Sequence, residues 1–210
     1  DFQEIPTSAN MVMITGWRQW ADAGTISSEL PAYLIQKTGA RKIGELKSDG
    51  FYLFQMPGTH HLLRPVVNIE DGVVTDLEQK RNEFYFSGDE QHGLIIFLGG
   101  EPHLNVERYG EALFTAVSTL GVTQLAGVAG VFGPTPYDKD RQISCIYSLP
   151  ELRDVLEGYA VSFSNYEGGS SIDSYLVAMA GRKGIAYFTF YAFVPAYDFS
   201  QTAVQPRGIQ

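Results

Sequence analysis

The stretch LIIFLGGEPHLNVERYGEALFTAVSTLGVTQLAGVAGVF, residues 94–132, decides the fold. It opens on a continuous apolar run, Leu94 to Leu98, that reads as a buried strand and stops at Gly99-Gly100. Asn105 is placed to cap a helix that runs to Leu120. Val106, Tyr109, Ala112, Leu113, Ala116, Val117 and Leu120 recur along it at intervals of three, three, one, three, one and three, which puts them on one face of a 3.6-residue period. Gly121 ends this helix, and residues 124–132 read as the next buried strand. A strand, an amphipathic helix and a strand joined by short turns make a parallel crossover, right-handed because the strands twist that way. The chain is therefore expected to be α/β, with a mainly parallel central sheet flanked by helices.

Working outward, residues 11–15 form a short apolar strand that ends at Gly16-Trp17. Asp22 then caps a helix over residues 25–37, closed by Gly39, with Pro31 inside it as the cause of a kink or a later start. Residues 43–64 read as irregular β structure, broken at Asp49-Gly50 and Pro57-Gly58. In residues 66–75, Asp71-Gly72 supplies the two positive φ angles of a type I′ turn between Val66-Val67 and Val73-Val74, so an inserted β-hairpin is expected. Residues 82–86 are another strand. Beyond the crossover come a strand at 142–148, a short helix from Pro150 to about Glu157, and a helix capped by Ser170 or Ser171. That last helix turns Ile172, Tyr175, Leu176 and Met179 inward. Asp173 in its first turn and Arg182 with Lys183 in its last complement the helix dipole. An aromatic-rich strand, residues 185–194, completes the pattern. There is no internal repeat or low-complexity linker, so residues 1–210 are expected to form a single domain.

Composition narrows the function classes. The chain has 210 residues, 44% of them hydrophobic, and 15 basic against 24 acidic residues leave a net charge of −9. That balance, without a basic stripe, argues against nucleic-acid binding and against an anionic membrane surface. No apolar run approaches the ~20 residues of a membrane helix. Cys145 is the only cysteine and sits in an apolar run, so no internal disulfide is possible and a buried structural thiol is expected. A cytoplasmic protein follows from these features. The chain opens on Asp1 rather than an initiator methionine, so further N-terminal residues are expected.

Several strand exits lead into glycine- or proline-rich segments: Gly16-Trp17 with Asp22-Ala23-Gly24, Gly99-Gly100-Glu101-Pro102, Gly133-Pro134-Thr135-Pro136-Tyr137, and Gly168-Gly169-Ser170-Ser171. In parallel α/β sheets such loops gather at one edge, where ligands bind. The candidate cleft for a ligand or partner is therefore Trp17, Asp22, Gly24, Gly100, Glu101, Arg108, Thr135, Tyr137, Arg141, Tyr166, Gly168, Gly169 and Ser170. Glu101 could orient a ligand hydroxyl or make a structural ion pair with Arg108 or Arg141. His103 could act as an acid or base or be a solvated loop residue. Trp17 and Trp20 could each line a pocket or be half-buried.

Named motifs point away from several chemistries. There is no Gly-Lys-Ser/Thr phosphate loop, Gly127, Gly130 and Gly133 do not have the dinucleotide spacing, and no Gly-x-Ser-x-Gly elbow occurs. His60 and His61 are adjacent and would point to opposite faces of a strand, so they do not share a metal. No metal and no cofactor is expected. Catalytic residues are not identifiable from the sequence.

The order of Gly16-Trp17, Asp22-Ala23-Gly24, Gly99-Gly100-Glu101-Pro102, Thr135-Pro136, Tyr166-Glu167-Gly168 and Val194-Pro195-Ala196-Tyr197 resembles the PAC2 family, the proteasome-assembly-chaperone-like proteins, with a bacterial flavour in the Gly-Trp and Glu-Pro forms. The similarity spans residues 11–197. The resemblance implies a fold like that of phosphorylases and peptidyl hydrolases, a homo-oligomer such as a trimer, and proteasome subunits as partners. It also implies a C-terminal hydrophobic-Tyr-any tail in archaeal and eukaryotic chaperones, which Gly208-Ile209-Gln210 does not match. Two functions follow: a non-catalytic binding or assembly protein, or an enzyme on a purine nucleoside phosphorylase-like scaffold acting on a nucleoside or another small polar substrate.

Overall fold

The computed structural model describes residues 1–18, 20–54, 64–78, 80–133, 135–140, 142–163 and 165–196. Nine strands and four α-helices follow one another along them. They are β1 (Asn10–Arg18), α1 (Ile26–Thr38), β2 (Arg41–Glu45), β3 (Val66–Glu70), β4 (Val73–Glu78), β5 (Glu83–Gly88), β6 (His92–Gly100), α2 (Val106–Thr119), β7 (Gln124–Gly133), β8 (Ile143–Tyr147), α3 (Arg153–Leu156), α4 (Ile172–Lys183) and β9 (Ala186–Pro195). Seven strands form one sheet in the order β2-β5-β6-β1-β7-β9-β8. The central four, β6, β1, β7 and β9, run parallel. Antiparallel strands extend both sides, β5 and β2 beyond β6, and β8 beyond β9.

The crossover read from residues 94–132 is present as β6-α2-β7, and it passes over β1, which lies between the two strands. β1 shows why it sits in the middle. Met11, Met13, Thr15 and Trp17 alternate onto one face and are buried there. Met11, Met13 and Trp17 share a core with Tyr109, Leu113 and Val117 of α2 and Leu176 and Ala180 of α4. α1 covers the opposite face, where buried Pro31 packs against Gly16. The helix runs through Pro31 without ending, because the strand takes up the proline ring. Beneath β8 and β9, Cys145, Leu152 and Leu156 form a smaller core with Phe163, Phe188 and Phe190. The rings of β9 are thus divided between the two faces of the sheet, Tyr187 in the main core and Phe188 and Phe190 in the smaller one.

One local expectation is corrected. Asn105 does occupy the cap position of α2, but its side chain makes no cap hydrogen bond. Its backbone is left-handed at φ 53°, and its Nδ2 donates to Gly50 O at 2.8 Å. Asp173 lies in the first turn of α4, where the sequence placed it as a dipole partner, and its side chain is fully buried. Ser171 is the residue that caps α4, accepting from Ser174 N. The hairpin is present as β3-β4, a two-stranded ribbon separate from the main sheet. Its turn has Asp71 at φ 48° and Gly72 at φ 81°, the positive pair that a type I′ turn requires. Residues 57 and 58, where a break was expected, lie outside the described residues, as do His60 and His61.

A polar network runs through the main core. Trp17 Nε1 donates to Tyr109 Oη at 2.9 Å, and Tyr109 Oη donates to Asn82 Oδ1 at 3.0 Å. The same oxygen accepts from Gly100 N at 3.3 Å, while Tyr52 Oη lies 2.9 Å from it and donates to Gly100 O at 2.7 Å. Burial pushes the Tyr52 hydroxyl up to about 12 and Tyr109 well above the usual phenol range, so both stay protonated donors. Tyr109→Phe keeps the ring and strands the buried indole N–H. It is expected to cost about 1–3 kcal/mol, read as a lower urea midpoint with an unchanged slope.

Candidate functional site

The carboxyl ends of β6, β1, β7 and β9 open onto one edge of the sheet. Here the chain leaves β1 towards β2 on one side and leaves β7 towards β8 and β9 on the other, the topology at which α/β sheets place their sites.

The segment between β1 and α1 is laid along β7. Asp22 bridges to Gly130, and Gly130 N donates to Ala21 O at 2.9 Å. A Cβ at Gly130 would stand 2.1 Å from Ala23 O, so only glycine lets the two backbones approach this closely. The Asp22 carboxylate turns into α1, accepting from Ser28 N at 3.0 Å and Ser28 Oγ at 2.7 Å. Burial raises its pKa above the usual carboxylate value, opposed by the bonds from Ser28.

Glu101 joins three segments. Its own N–H donates to Arg18 O at 3.0 Å. Its Oε2 accepts from Trp20 N at 3.0 Å, and its Oε1 accepts from Ile172 N, in the first turn of α4, at 3.1 Å. An anionic carboxylate at a helix N-terminus satisfies an otherwise orphan amide and meets the positive end of the helix dipole. Both oxygens are thus committed to the fold.

A second polar layer lies below, between β1, β9 and α4. Thr15 Oγ1 and Tyr187 Oη are 2.9 Å apart, and Ser171 Oγ and Tyr191 Oη are 3.0 Å apart. Burial first, and then the charge of buried Asp173, raise the pKa of both tyrosines above the usual phenol range. On the β6 side, His103 Nδ1 accepts from Leu53 N at 3.0 Å and its ring stands edge-on to Tyr52 at 5.5 Å. Burial and the Lys80 charge hold this imidazole below its usual value. Burial, and then the charge of neighbouring Arg18, lower the Lys80 pKa in turn.

Large aromatic side chains cover the edge from outside. Trp20, Tyr137 and Tyr166 are 70% to 75% exposed. The Trp20 ring lies over Gly169, and Tyr166 Oη donates to Gly169 O at 3.2 Å, so these two rings meet around one glycine.

The predicted residues therefore separate into groups. Gly100, Glu101, Tyr166 and Gly169 are brought together around Trp20 and the start of α4, with Gly168 and Ser170 exposed in the same loop. Asp22 and Gly24 lie on β7 and β9, Gly24 beside Val194. Thr135 is buried just past β7, and Tyr137 is exposed in the turn that follows. Trp17 is wholly buried in the core, and Arg108 sits on α2 with its guanidinium 5.9 Å from the Phe51 ring. Arg141 lies outside the described residues. Trp20 is the residue the cleft list omits. The alternation Met11, Met13, Thr15, Trp17 puts Trp17 in phase with the buried face and leaves Trp20, past the strand end, out of it.

A cavity of about 350 Å³ lies at the opposite edge, lined by Val117, Ser118, Thr123, Leu149 and Ile185. Among the described residues, no group of three or more His, Cys, Asp or Glu side chains is placed to hold a metal ion. No helix of the described residues is long and apolar enough to cross a membrane.

A family model described as the PAC2 family matches residues 14–207. No curated protein matches the chain. Among solved structures, the chain is similar to a PAC2 family protein from Streptomyces avermitilis, with 22% identity and a TM-score of 0.77 over 94% of this chain and 84% of that one. It is similar to a proteasome-assembly chaperone homologue from Mycobacterium tuberculosis, with 19% identity and a TM-score of 0.79 over 95% of this chain and 86% of that one. It is also similar to PbaB of Pyrococcus furiosus, an archaeal proteasome activator, with 19% identity and a TM-score of 0.70 over 94% and 80% of the two chains.

Two outcomes test this geometry. Glu101→Ala is expected to destabilise the protein by about 1–3 kcal/mol, and Glu101→Gln by less, since the amide keeps one acceptor oxygen; chemical denaturation measures both. Asp22 has a folded pKa above its unfolded value, so its contribution is fully present below the ordinary value of 3.8 and is lost as pH rises through the folded value. The stability difference between wild type and Asp22→Asn should therefore move in favour of the variant as pH is raised through that window. A difference that stays flat would show that Asp22 titrates normally.

Proposed function

We propose, from the premise that this chain belongs to the PAC2 family, that it is a non-catalytic binding protein of the assembly-chaperone type, which engages a protein partner at the carboxyl edge of its sheet. One contrast carries the reading. The polar groups of that edge are spent on the fold, Glu101 on two backbone amides, Asp22 on Ser28 and His103 on Leu53 N, while Trp20, Tyr137 and Tyr166 face outward. Substrate chemistry needs polar groups that converge on an empty space. Protein recognition uses exposed aromatic anchors, which supply contact area at low entropic cost.

Proteasome subunits are the partners this reading favours, because the similar structures include a proteasome-assembly chaperone homologue and an archaeal proteasome activator. The protein is read as cytoplasmic and self-associating. Its parallel four-strand centre with antiparallel margins supports a scaffold of the phosphorylase/hydrolase-like type.

The test is affinity capture from lysate of the source organism, read by mass spectrometry, with the wild-type chain beside Trp20→Ala/Tyr166→Ala. Both rings are exposed, so the variant should keep its circular dichroism and melting temperature. Proteasome subunits enriched by wild type and depleted at least tenfold with the variant are the expected result. Equal capture by both would move the partner off this edge, and no enrichment by wild type would remove the proteasome as partner.

A further inference from the structure

We infer that the β3-β4 ribbon is a self-association surface, and that its apolar face takes the same face of a second copy of this chain. The inference rests on the self-association in the reading above and gives it a location.

Cross-strand partners in an antiparallel ribbon share a face. The register pairs Val67 with Leu77 and Ile69 with Val74, while Asn68 pairs with Asp76 and Glu70 with Val73. Val67, Leu77, Ile69 and Val74 thus form one wholly apolar face, while Val66, Asn68, Glu70, Val73 and Asp76 make the other a mixed one. A β-bulge makes this possible. Leu77 and Val74 are three apart in sequence, and strict alternation would put them on opposite faces. The register shift at Asn68/Ile69 inserts Thr75 as an extra residue, its hydroxyl donating to Asn68 O at 3.3 Å, and brings both apolar side chains to one side. The four side chains are nonetheless 46% to 60% exposed. A two-stranded ribbon is marginal by itself in water, so a face built this way is one that becomes covered.

The pattern selects a second copy as the cover. The two valines occupy one diagonal of the patch, and isoleucine and leucine occupy the other. A face-to-face dimer has its two-fold axis in the plane of contact. With that axis along the strands, Val67 meets Leu77 of the other copy and Ile69 meets Val74. With the axis across the strands, Val67 meets Ile69 and Leu77 meets Val74. Either way a small side chain opposes a large one, which is self-complementary packing. Charge agrees with this. Two chains of −9 repel, and apposing the apolar faces turns Glu70 and Asp76 away from the contact. Four side chains a side fall short of the roughly 800 Å² per partner of a standard interface, so the pairing depends on protein concentration.

Sedimentation velocity over a wide concentration range tests this with wild type, Ile69→Glu/Val74→Glu on the apolar face, and Glu70→Lys on the other. Expected are an even-numbered wild-type assembly, half that mass for the double variant with unchanged circular dichroism, and wild-type behaviour for Glu70→Lys. An assembly of odd order, or one that survives the double substitution, overturns the ribbon as the contact while self-association stands. Wild type that stays monomeric overturns both. If the double variant does not fold, Ile69→Cys treated with a short bis-maleimide decides, since Cys145 is buried. Covalent dimers above the wild-type level support the ribbon, and their absence overturns it.

Discussion

Two backbone amides far apart in the chain, those of Trp20 and Ile172, converge on the single carboxylate of Glu101. Each would otherwise be orphaned, one just past the end of β1 and the other in the first turn of α4. The segment carrying Trp20 has left the sheet ladder, and α4 has no earlier turn to supply an acceptor. One anion meets both needs and draws the exits of β6 and β1 onto the start of a helix more than seventy residues away. The surface around Trp20 depends on this arrangement, because it fixes the Trp20 backbone and the helix start that follows the Tyr166 loop.

Below that tie, two polar layers flank β1 in a core that is otherwise apolar. On one side Asn82 Oδ1 gathers Tyr109 Oη and Gly100 N within 3.3 Å, with Trp17 bonded to Tyr109. On the other, Thr15 meets Tyr187 next to buried Asp173. Buried polar groups cost free energy unless each finds a partner, and once satisfied they admit few alternative packings. β1 is paired on both edges and contributes Trp17 to one layer and Thr15 to the other, so its register is constrained four ways. That rigidity is consistent with the partner-binding reading proposed above.

The ribbon obeys a different economy. It adds no residue to the main sheet, and one inserted threonine brings its four-residue apolar patch onto one face. The two surfaces differ in chemistry as well as position, aromatic on the sheet edge and aliphatic on the ribbon.

Much of the architecture was legible in residues 94–132, because helix and strand periods are local and glycine marks their ends. The α2 face, the strand-helix-strand crossover and the Asp71-Gly72 turn were all visible this way. So were the loops of the carboxyl edge, since a parallel sheet places every such exit on one side. Their chemistry was not. Glu101 could be read as a ligand group or as an ion-pair partner of Arg108 or Arg141 until its two amide partners, 81 and 71 residues away, were known. Trp17 and Trp20, three residues apart, looked equivalent until strand phase buried one and exposed the other. The hairpin was readable, but its apolar face was not, since a bulge is a matter of pairing between strands. What the sequence determined by itself rests on interactions within a few residues, where backbone geometry dictates the outcome. What only the tertiary structure decided rests on which distant groups satisfy each polar atom, and folding settles that by excluding water from all of them together.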